Sequence, residues 1–389
     1  MPVAAKRLNN LPPYVFATIG QKIREMTRAD IDVLRLDIGS PDLPPAEEVI
    51  EALCRSAADE HKHGYSGYTG IAAFREAVAH YYQQRFNVTL NPDTEVLPLL
   101  GSKEGLVNLS LAYLDYGDVA LVPDISYPSY SMGARLAGAD IAWMPLKATN
   151  KYLPVVDNIP DDTATRAKIL WLNYPNNPTG ASAALDDYQR YVAYCQQHDI
   201  LLASDNPYVE ITYDGHRAGS VLQVPDALSC AVEFFSFSKT YNMAGWRLGA
   251  AVGNATIIKN LLHVKSNIDS GHFIPIYDAG IAALEQVSQD WIDARNAIYA
   301  RRRDLILAAL PDIGLRAHRP EGAIYIWAEV LDGDGLTYSR EALDQAHVSL
   351  APGGAYGPGG DRYVRISLCA PDEKIEAALD RLRDWYFAR

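Results

Sequence analysis

Cysteine is scarce in this sequence, with four residues among 389 and no CxxC pair. Cys54, Cys195, Cys230 and Cys369 also lack histidines at the spacing that a zinc site requires. A fold held by disulfides and a structural zinc site therefore find no support. The simplest interpretation is a reduced protein that resides in the cytoplasm.

Long apolar runs are missing as well. The N-terminal segment MPVAAKRLNNLPPYVF lacks the core of about seven apolar residues that a secretory signal carries. No stretch of the chain approaches the ~18 consecutive apolar residues of a membrane span. We therefore expect no membrane association.

Positive charge is in deficit, because 35 Lys and Arg face 48 Asp and Glu, for a formal net charge of −13. Such a surface repels a phosphate backbone, so no nucleic-acid partner is expected. The rest of the composition, 48% hydrophobic and 21% charged, is that of an ordinary globular protein. At about 150 residues per domain, the length indicates two domains or one large domain with an appendage.

Short apolar runs alternate with amphipathic stretches through the middle of the chain. The runs cover residues 96–100, 119–123, 168–175, 200–205, 231–238 and 248–253. This alternation predicts an α/β fold, in which a large domain has a mostly parallel sheet covered by helices on both faces. Pro98 cannot donate to a strand ladder, so the first run is either an edge strand or begins later than drawn.

The sequence pattern changes near Trp291, where a long charged helix is followed by the strands AIYIWAEV and YVRISL and a final helix. With the N-terminal residues, these elements resemble a smaller α+β domain. The predicted organisation is an N-terminal arm and small-domain strand over 1–45, a large domain over 46–285 and a C-terminal small domain over 286–389. The charged run 301–304 is interpreted as a solvated helix face.

Ligands of doubly wound sheets bind beyond the carboxyl ends of the strands, so residues directly after each run are candidates for a site. Gly101, Ser102 and Lys103 close a strand and open a helix, where free amides and the positive helix end favour a phosphate. On this tripeptide alone, a plain cap with Ser102 as N-cap is the better interpretation. It matches neither GxGxxG nor GxxxxGK[ST], so dinucleotide and NTP loops find no support.

Lys239 ends the segment SFSK, directly after an aromatic strand. Desolvation there lowers an ammonium pKa and supplies the neutral amine that attacks a carbonyl. Arg247, eight residues on, offers a planar fork for a phosphate that Ser236 and Ser238 also contact. The alternative is a surface lysine in a turn, which is the commoner case for an isolated lysine.

Asp205 ends an apolar strand, where a lone carboxylate is costly unless it meets a cation. Near a pyridinium nitrogen it would keep that nitrogen protonated and make the ring an electron sink. A helix cap or an Asx turn before Pro207 is the alternative. The segment 174–180 is also a plausible turn, in which Asn177 could bond its own backbone.

Taken together, these motifs resemble a known family. The motifs are NNPTG at 176–180, SDNPY at 204–208, SFSK at 236–239, GWRLG at 245–249 and RIS at 365–367. Their order and spacing are similar to those of fold-type-I pyridoxal-phosphate aminotransferases of classes I and II. Each motif is weak alone, but their conjunction is strongly specific, and the resemblance covers nearly the whole chain.

The resemblance implies pyridoxal 5′-phosphate as the cofactor, bound by the large domain. Lys239 resembles the lysine that holds it as a Schiff base and later shuttles the proton. Asp205 resembles the partner of its pyridine nitrogen, and Asn177 with Tyr208 the pair that hydrogen-bonds its phenolic oxygen. Tyr127 resembles the aromatic residue that stacks on its ring. The implied phosphate contacts are Ser102, Lys103, Ser236, Ser238, Arg247 and, from a neighbouring subunit, Tyr65.

For the substrate, Arg365 resembles the arginine that clamps the α-carboxylate, with the backbone of Gly39 and with Asn177 beside it. The implied reaction moves an amino group between an L-amino acid and a 2-oxo acid by a ping-pong cycle, with 2-oxoglutarate and glutamate as one pair. The implied unit is a homodimer with shared active sites. The stretches YVFATIGQKIREM and VKSNIDSGHF are similar to the LL-diaminopimelate aminotransferase group and to related aspartate- and alanine-type enzymes. That similarity would place Tyr14 and Asn267 at the distal substrate pocket.

Three alternatives remain. Another fold-type-I enzyme, such as a carbon–sulfur β-lyase, would share Asp205 and Lys239 and differ in the Cα bond that breaks. A regulatory protein that senses pyridoxal phosphate would carry an added DNA-binding segment, and the arm of about 40 residues here is short and not basic. A nucleotide-binding α/β protein would need a phosphate loop that the sequence lacks.

Overall fold

The computed structural model describes residues 2–5, 8, 11 and 15–389, with residues 15 and 16 described by their backbone alone. Its strands are β1 (Leu34–Arg35), β2 (Val96–Leu99), β3 (Val119–Pro123), β4 (Asp140–Met144), β5 (Ala167–Leu172), β6 (Leu201–Asp205), β7 (Ala231–Ser236), β8 (Gly249–Gly253), β9 (Leu315–Ala317), β10 (Tyr325–Val330), β11 (Val348–Ser349), β12 (Ala351–Pro352) and β13 (Tyr363–Ser367).

The helices before residue 200 are α1 (Val15–Arg28), α2 (Glu47–Ala57), α3 (Ala72–Phe86), α4 (Ser102–Tyr113), α5 (Ser129–Ala137), α6 (Asp161–Arg166) and α7 (Leu185–His198). Those after it are α8 (Phe237–Thr240), α9 (Ala255–Lys265), α10 (Ile274–Glu285), α11 (Gln289–Ala309), α12 (Gly335–Gln345) and α13 (Asp372–Phe387). Side-chain caps define several starts: Asn254 accepts backbone N–H groups at the start of α9, Ser288 does so for α11, and Asp334 for α12.

Seven strands form the large sheet, in the order β2-β8-β7-β6-β5-β3-β4. All neighbouring pairs are parallel except those that involve β8, which runs antiparallel to both β2 and β7. The mostly parallel α/β sheet that the alternation predicts is therefore confirmed. Pro98 lies in β2, at the edge of this sheet, which is the position where a missing N–H is tolerated.

Both faces of the large sheet are covered. Along β5, Leu170 and Leu172 belong to one apolar cluster with residues of α3, α7 and α10, whereas Ile169 and Trp171 belong to a second cluster with residues of α4, α5 and α9. Side chains alternate between the two faces of a strand, so an uninterrupted apolar run needs such a cover on each side.

A second core lies in the C-terminal part of the chain. There β12-β13-β10-β9 form an antiparallel sheet, and β1 pairs in parallel with β11. Leu34 and Leu36 share this core with α11, α12 and α13. The N-terminal strand thus joins the C-terminal elements, as the proposed division requires, and the boundaries at residues 45 and 285 stay predictions.

The interpretation of residues 301–304 as a solvated face is wrong for two of its arginines. Arg302 is 4% exposed and Arg303 is fully buried. The guanidinium of Arg302 meets Asp42 and Asp372, and that of Arg303 meets Asp214 and Asp304. Arginine can be buried when its head is paired in this way, and charge alone does not mark an exposed face.

Within the described part of the chain, no helix is both long enough and apolar enough to cross a membrane. The same residues contain no group of three or more His, Cys, Asp or Glu that could hold a metal ion.

Candidate active site

A cavity of about 360 Å³ opens at the carboxyl ends of the parallel strands, between the large sheet and the C-terminal elements. This volume is typical of small-ligand sites. It brings together most of the predicted site residues. The residues that line it include Gly39, Ser102, Lys103, Tyr127, Asn177, Asp205, Tyr208, Ser236, Ser238, Lys239, Arg247 and Arg365.

Lys239 lies in the short helix α8, directly after β7. Ser236 caps this helix, because its hydroxyl accepts the N–H of Ser238. The Lys239 ammonium donates to the carbonyl of Gly39, across the cavity. Burial lowers the pKa of Lys239 to about 8, and the positive charges of Arg365 and Arg247 act in the same direction. A substantial fraction of this amine is therefore neutral near physiological pH.

Asp205 is the last residue of β6 and is 3% exposed. Its Oδ2 accepts a hydrogen bond of 2.7 Å from the Tyr130 hydroxyl, while its Oδ1 is buried and has no hydrogen-bond partner. Burial raises the pKa of Asp205 to about 7, the Tyr130 hydrogen bond lowers it, and the charge of Glu233 raises it. An unpaired, buried carboxylate oxygen at the cavity is suited to a cationic N–H donor.

Tyr130 was not among the predicted residues. It is buried and stacks on Trp171, with ring centroids 4.9 Å apart. The segment SYPSY contains two tyrosines, and only Tyr127 was assigned a role. Tyr127 lines the cavity, and the Lys103 ammonium lies 5.8 Å from the centre of its ring.

Hydroxyl, amide and guanidinium donors converge at the start of α4. Gly101 has φ +77°, and a Cβ on it would lie 2.3 Å from Nη2 of Arg247, so only glycine lets the guanidinium approach here. Arg247 also donates to Ser238 Oγ at 3.5 Å and to the Ala244 carbonyl at 2.8 Å. Gly101 is the N-cap residue and Ser102 the first helical residue, which corrects the interpretation of Ser102 as a plain N-cap. The donor set suits a phosphate.

Arg365 lies in β13 and is 5% exposed. Its Nη1 donates to Asn177 Oδ1 at 3.1 Å and its Nη2 to the Asp37 carbonyl at 2.8 Å. The guanidinium carbon lies 3.9 Å from the ring centre of Tyr325 and 4.9 Å from that of Tyr356. The guanidinium is therefore held between two aromatic rings at the cavity wall. Neither ring could be identified from motif spacing.

The two remaining polar groups of the predicted set are fixed by neighbours. The Tyr208 and Tyr325 hydroxyls lie 3.1 Å apart, in hydrogen-bond distance. Asn173, which directly follows β5, donates to the Asp205 carbonyl at 2.6 Å and accepts the Asn177 backbone N–H at 2.8 Å. Asn173 was also missed, because the predicted run 168–175 included it, whereas β5 ends at Leu172.

Two of the predicted residues that the structure describes do not line this cavity. Tyr65 is 91% exposed, and Asn267 is exposed with its amide donating to the His263 carbonyl. Tyr14 lies outside the described residues. Contacts of Tyr65 and Asn267 with a second subunit therefore stay predictions.

The cavity fits pyridoxal phosphate in its donor chemistry. It offers a lysine amine of lowered pKa, an unpaired buried carboxylate oxygen for a ring N–H, and a cluster of phosphate donors. The α/β sheet and this constellation define an enzyme site of the kind that a Schiff-base cofactor requires.

Comparisons with known proteins identify the family of this chain. The family model "Aminotransferase class I and II" matches residues 31–382. LL-diaminopimelate aminotransferases of Dehalococcoides mccartyi and Moorella thermoacetica are 45% and 44% identical, covering 98% and 97% of this chain and the same shares of theirs. The apo-BacF structure from Bacillus subtilis is similar with a TM-score of 0.95 and 35% identity, over 99% of both chains. The chain belongs to the class I and II aminotransferase family, whose members are generally dependent on pyridoxal phosphate.

Proposed function

We propose that this aminotransferase binds pyridoxal 5′-phosphate through Lys239 and moves an amino group between an L-amino acid and a 2-oxo acid. The observation that carries the proposal is that Lys239, with its lowered pKa, and the unpaired Oδ1 of Asp205 line the same cavity. When bound, the cofactor supplies an aldehyde and a ring that withdraws electrons from the substrate Cα.

Each residue of the cavity then has a defined task. Lys239 Nζ would hold the cofactor covalently and, as a free amine, would carry a proton to and from the substrate Cα. Asp205 Oδ1 would accept the ring N–H and keep the ring protonated. Asn177 and Tyr208 would donate to the phenolic oxygen, and Tyr127 would cover the ring.

The phosphate is held by side chains already clustered at the start of α4. Ser102, Lys103, Ser236, Ser238 and Arg247 line this part of the cavity. Their combined positive charge and hydroxyl donors offset the phosphate charge, which anchors the cofactor independently of Lys239.

For the substrate, Arg365 pairs with the α-carboxylate, and the Gly39 backbone and Asn177 lie beside it. A ping-pong cycle in which both substrates use this cavity in turn, with glutamate and 2-oxoglutarate as one pair, is part of the proposal. The names of the most similar relatives make LL-diaminopimelate the first amino donor to test. Tyr14 and Asn267 are the proposed contacts of its distal end.

A homodimer with shared sites is part of the proposal. The exposed Tyr65 would then reach the phosphate of a neighbouring subunit, since it does not line the cavity of its own chain. The cytoplasmic location also stays a proposal, supported by four cysteines of which none is paired.

The test is a panel of amino donors, LL-diaminopimelate included, supplied with 2-oxoglutarate to the protein reconstituted with pyridoxal phosphate. We expect glutamate to form in equal amount with the oxo acid of the donor. Release of ammonia and pyruvate without glutamate would instead identify a β-lyase and overturn the proposal. Lys239→Ala is the matched inactive control.

A further inference from the structure

Arg295 is a buried arginine of α11 that the proposed mechanism does not use. It is 3% exposed, and its guanidinium carbon lies 5.4 Å from the ring centre of Trp291. Its hydrogen bonds go to amide oxygens: the carbonyls of Glu210, Lys239 and Thr240 and the side chain of Asn296. A guanidinium that donates to several backbone carbonyls links the chain segments that carry them.

The first segment that Arg295 holds is the turn of Lys239. Helix α8 has four residues, and the last carbonyls of a helix lack partners within it. Arg295 Nη1 donates to the Thr240 carbonyl and, at 3.3 Å, to that of Lys239 itself. The opposite end of the same turn is capped by Ser236. The backbone from which the Lys239 side chain extends is therefore tied at both ends.

The second segment follows Tyr208. Arg295 Nη2 donates to the Glu210 carbonyl at 2.7 Å, and Asn296 donates to the same carbonyl at 2.9 Å. The Glu210 carboxylate is occupied separately, by Arg85 at 2.9 Å and by the Tyr81 hydroxyl at 2.6 Å. Arg295 consequently joins the backbone two residues after Tyr208 to the backbone of Lys239.

We infer that Arg295 is a positioning residue that sets the place of the Lys239 amine relative to the Tyr208 hydroxyl. The inference rests on the proposed function, because both groups act there on the same cofactor. Without Arg295, the α8 carbonyls lose their hydrogen-bond donor and the turn relaxes. The Lys239 amine then spends less time in the position from which it can attack the aldehyde of pyridoxal phosphate. Ser102, Lys103 and Arg247 at the phosphate and Asp205 and Tyr127 at the ring lie outside both segments and stay in place, whereas Ser236 and Ser238 belong to the turn itself.

The experiment measures covalent attachment of the cofactor to Lys239 separately from non-covalent binding in the cavity. Apo-protein is mixed with pyridoxal 5′-phosphate, and the growth of visible absorbance reports covalent attachment to Lys239, in which amine and aldehyde join with loss of water. Calorimetry with pyridoxamine 5′-phosphate, which has no aldehyde, reports the affinity of the cavity without Lys239. The variants are Arg295→Met and the conservative Arg295→Lys.

Arg303→Met is the matched control. Arg303 lies in the same helix and is fully buried, but its hydrogen bonds go to Asp214, Asp304 and the Pro320 carbonyl rather than to α8. We expect attachment to slow at least tenfold in Arg295→Met and less in Arg295→Lys, with pyridoxamine phosphate affinity within about fivefold of the wild type. The control should change neither quantity.

The inference is overturned if folded Arg295 variants attach the cofactor at the wild-type rate, or if affinity for pyridoxamine phosphate falls by the same factor as attachment. An equal slowing in Arg303→Met also overturns it. Should Arg295→Met fail to fold, Arg295→Lys decides by the same criteria. Failure of the wild-type protein to attach pyridoxal phosphate would contradict the proposed function instead.

Discussion

Replacement of Arg365 by leucine tests the proposed recognition of the α-carboxylate. The guanidinium is buried between Tyr325 and Tyr356 and is oriented by Asn177 and the Asp37 carbonyl. Leucine removes the charge and leaves a carboxylate in a desolvated site with no partner. Truncating one member of a buried charge pair costs about 2 to 5 kcal/mol. At about 1.36 kcal/mol per factor of ten, kcat/KM should fall by about 30-fold to 5,000-fold.

The assay compares an amino donor with the amine obtained by removing its α-carboxylate. In the wild-type protein, kcat/KM should be much higher for the donor than for the amine. In Arg365→Leu, most of this difference in kcat/KM should disappear. Arg316→Leu is the control, because Arg316 lies on β9 of the same sheet with a side chain 69% exposed. Equal losses for donor and amine, in a variant whose melting temperature shows that it folds, would refute the role of Arg365.

Further predictions concern the ionisable groups. Tyr130→Phe removes the hydrogen bond that lowers the pKa of Asp205, so this pKa should rise further above about 7. The pKa of Asp205 is measured from the pH dependence of carboxyl ¹³C chemical shifts in aspartate-labelled apo-protein, with the signal assigned by Asp205→Asn. An unchanged titration midpoint in Tyr130→Phe would contradict the effect of Tyr130 on this pKa. Because burial lowers the pKa of Lys239 to about 8, half of the amine is neutral near that pH and the neutral form predominates above it. The rate of cofactor attachment should therefore level off above about pH 8, whereas a rate still rising at about pH 10 would indicate an ordinary exposed lysine.

Much of the architecture could be predicted because it depends on local pattern. A strand buried on both faces is apolar along most of its length, as β3, β5 and β6 are. The missing N–H of Pro98 left two alternatives, an edge strand or a later start, and β2 is an edge strand. The cavity residues that the large sheet contributes could also be predicted from their place in the sequence. Parallel strands end at one edge, so residues that end them or directly follow them in the sequence, such as Asp205 and Asn173, meet in space.

The opposite wall of the cavity could not be predicted in the same way. Tyr325 faces Arg365 because β10 and β13 pair with a particular register, and no local signal specifies that pairing. Tyr130 and Tyr127 are three residues apart at the start of one helix, and only packing against Trp171 directs Tyr130 to Asp205. Arg295 and Arg303 look like surface charges in the sequence, because the Thr240 and Glu210 carbonyls and the Asp214 carboxylate that hold them are distant in the chain.

The most direct measurement is chemical trapping of the cofactor. Wild-type protein reconstituted with pyridoxal phosphate is reduced with borohydride, digested, and mapped by mass spectrometry. The proposed chemistry predicts a stable phosphopyridoxyl group on Lys239 and on no other lysine. Protein that remains colourless after reconstitution, or that carries the label elsewhere, would contradict it.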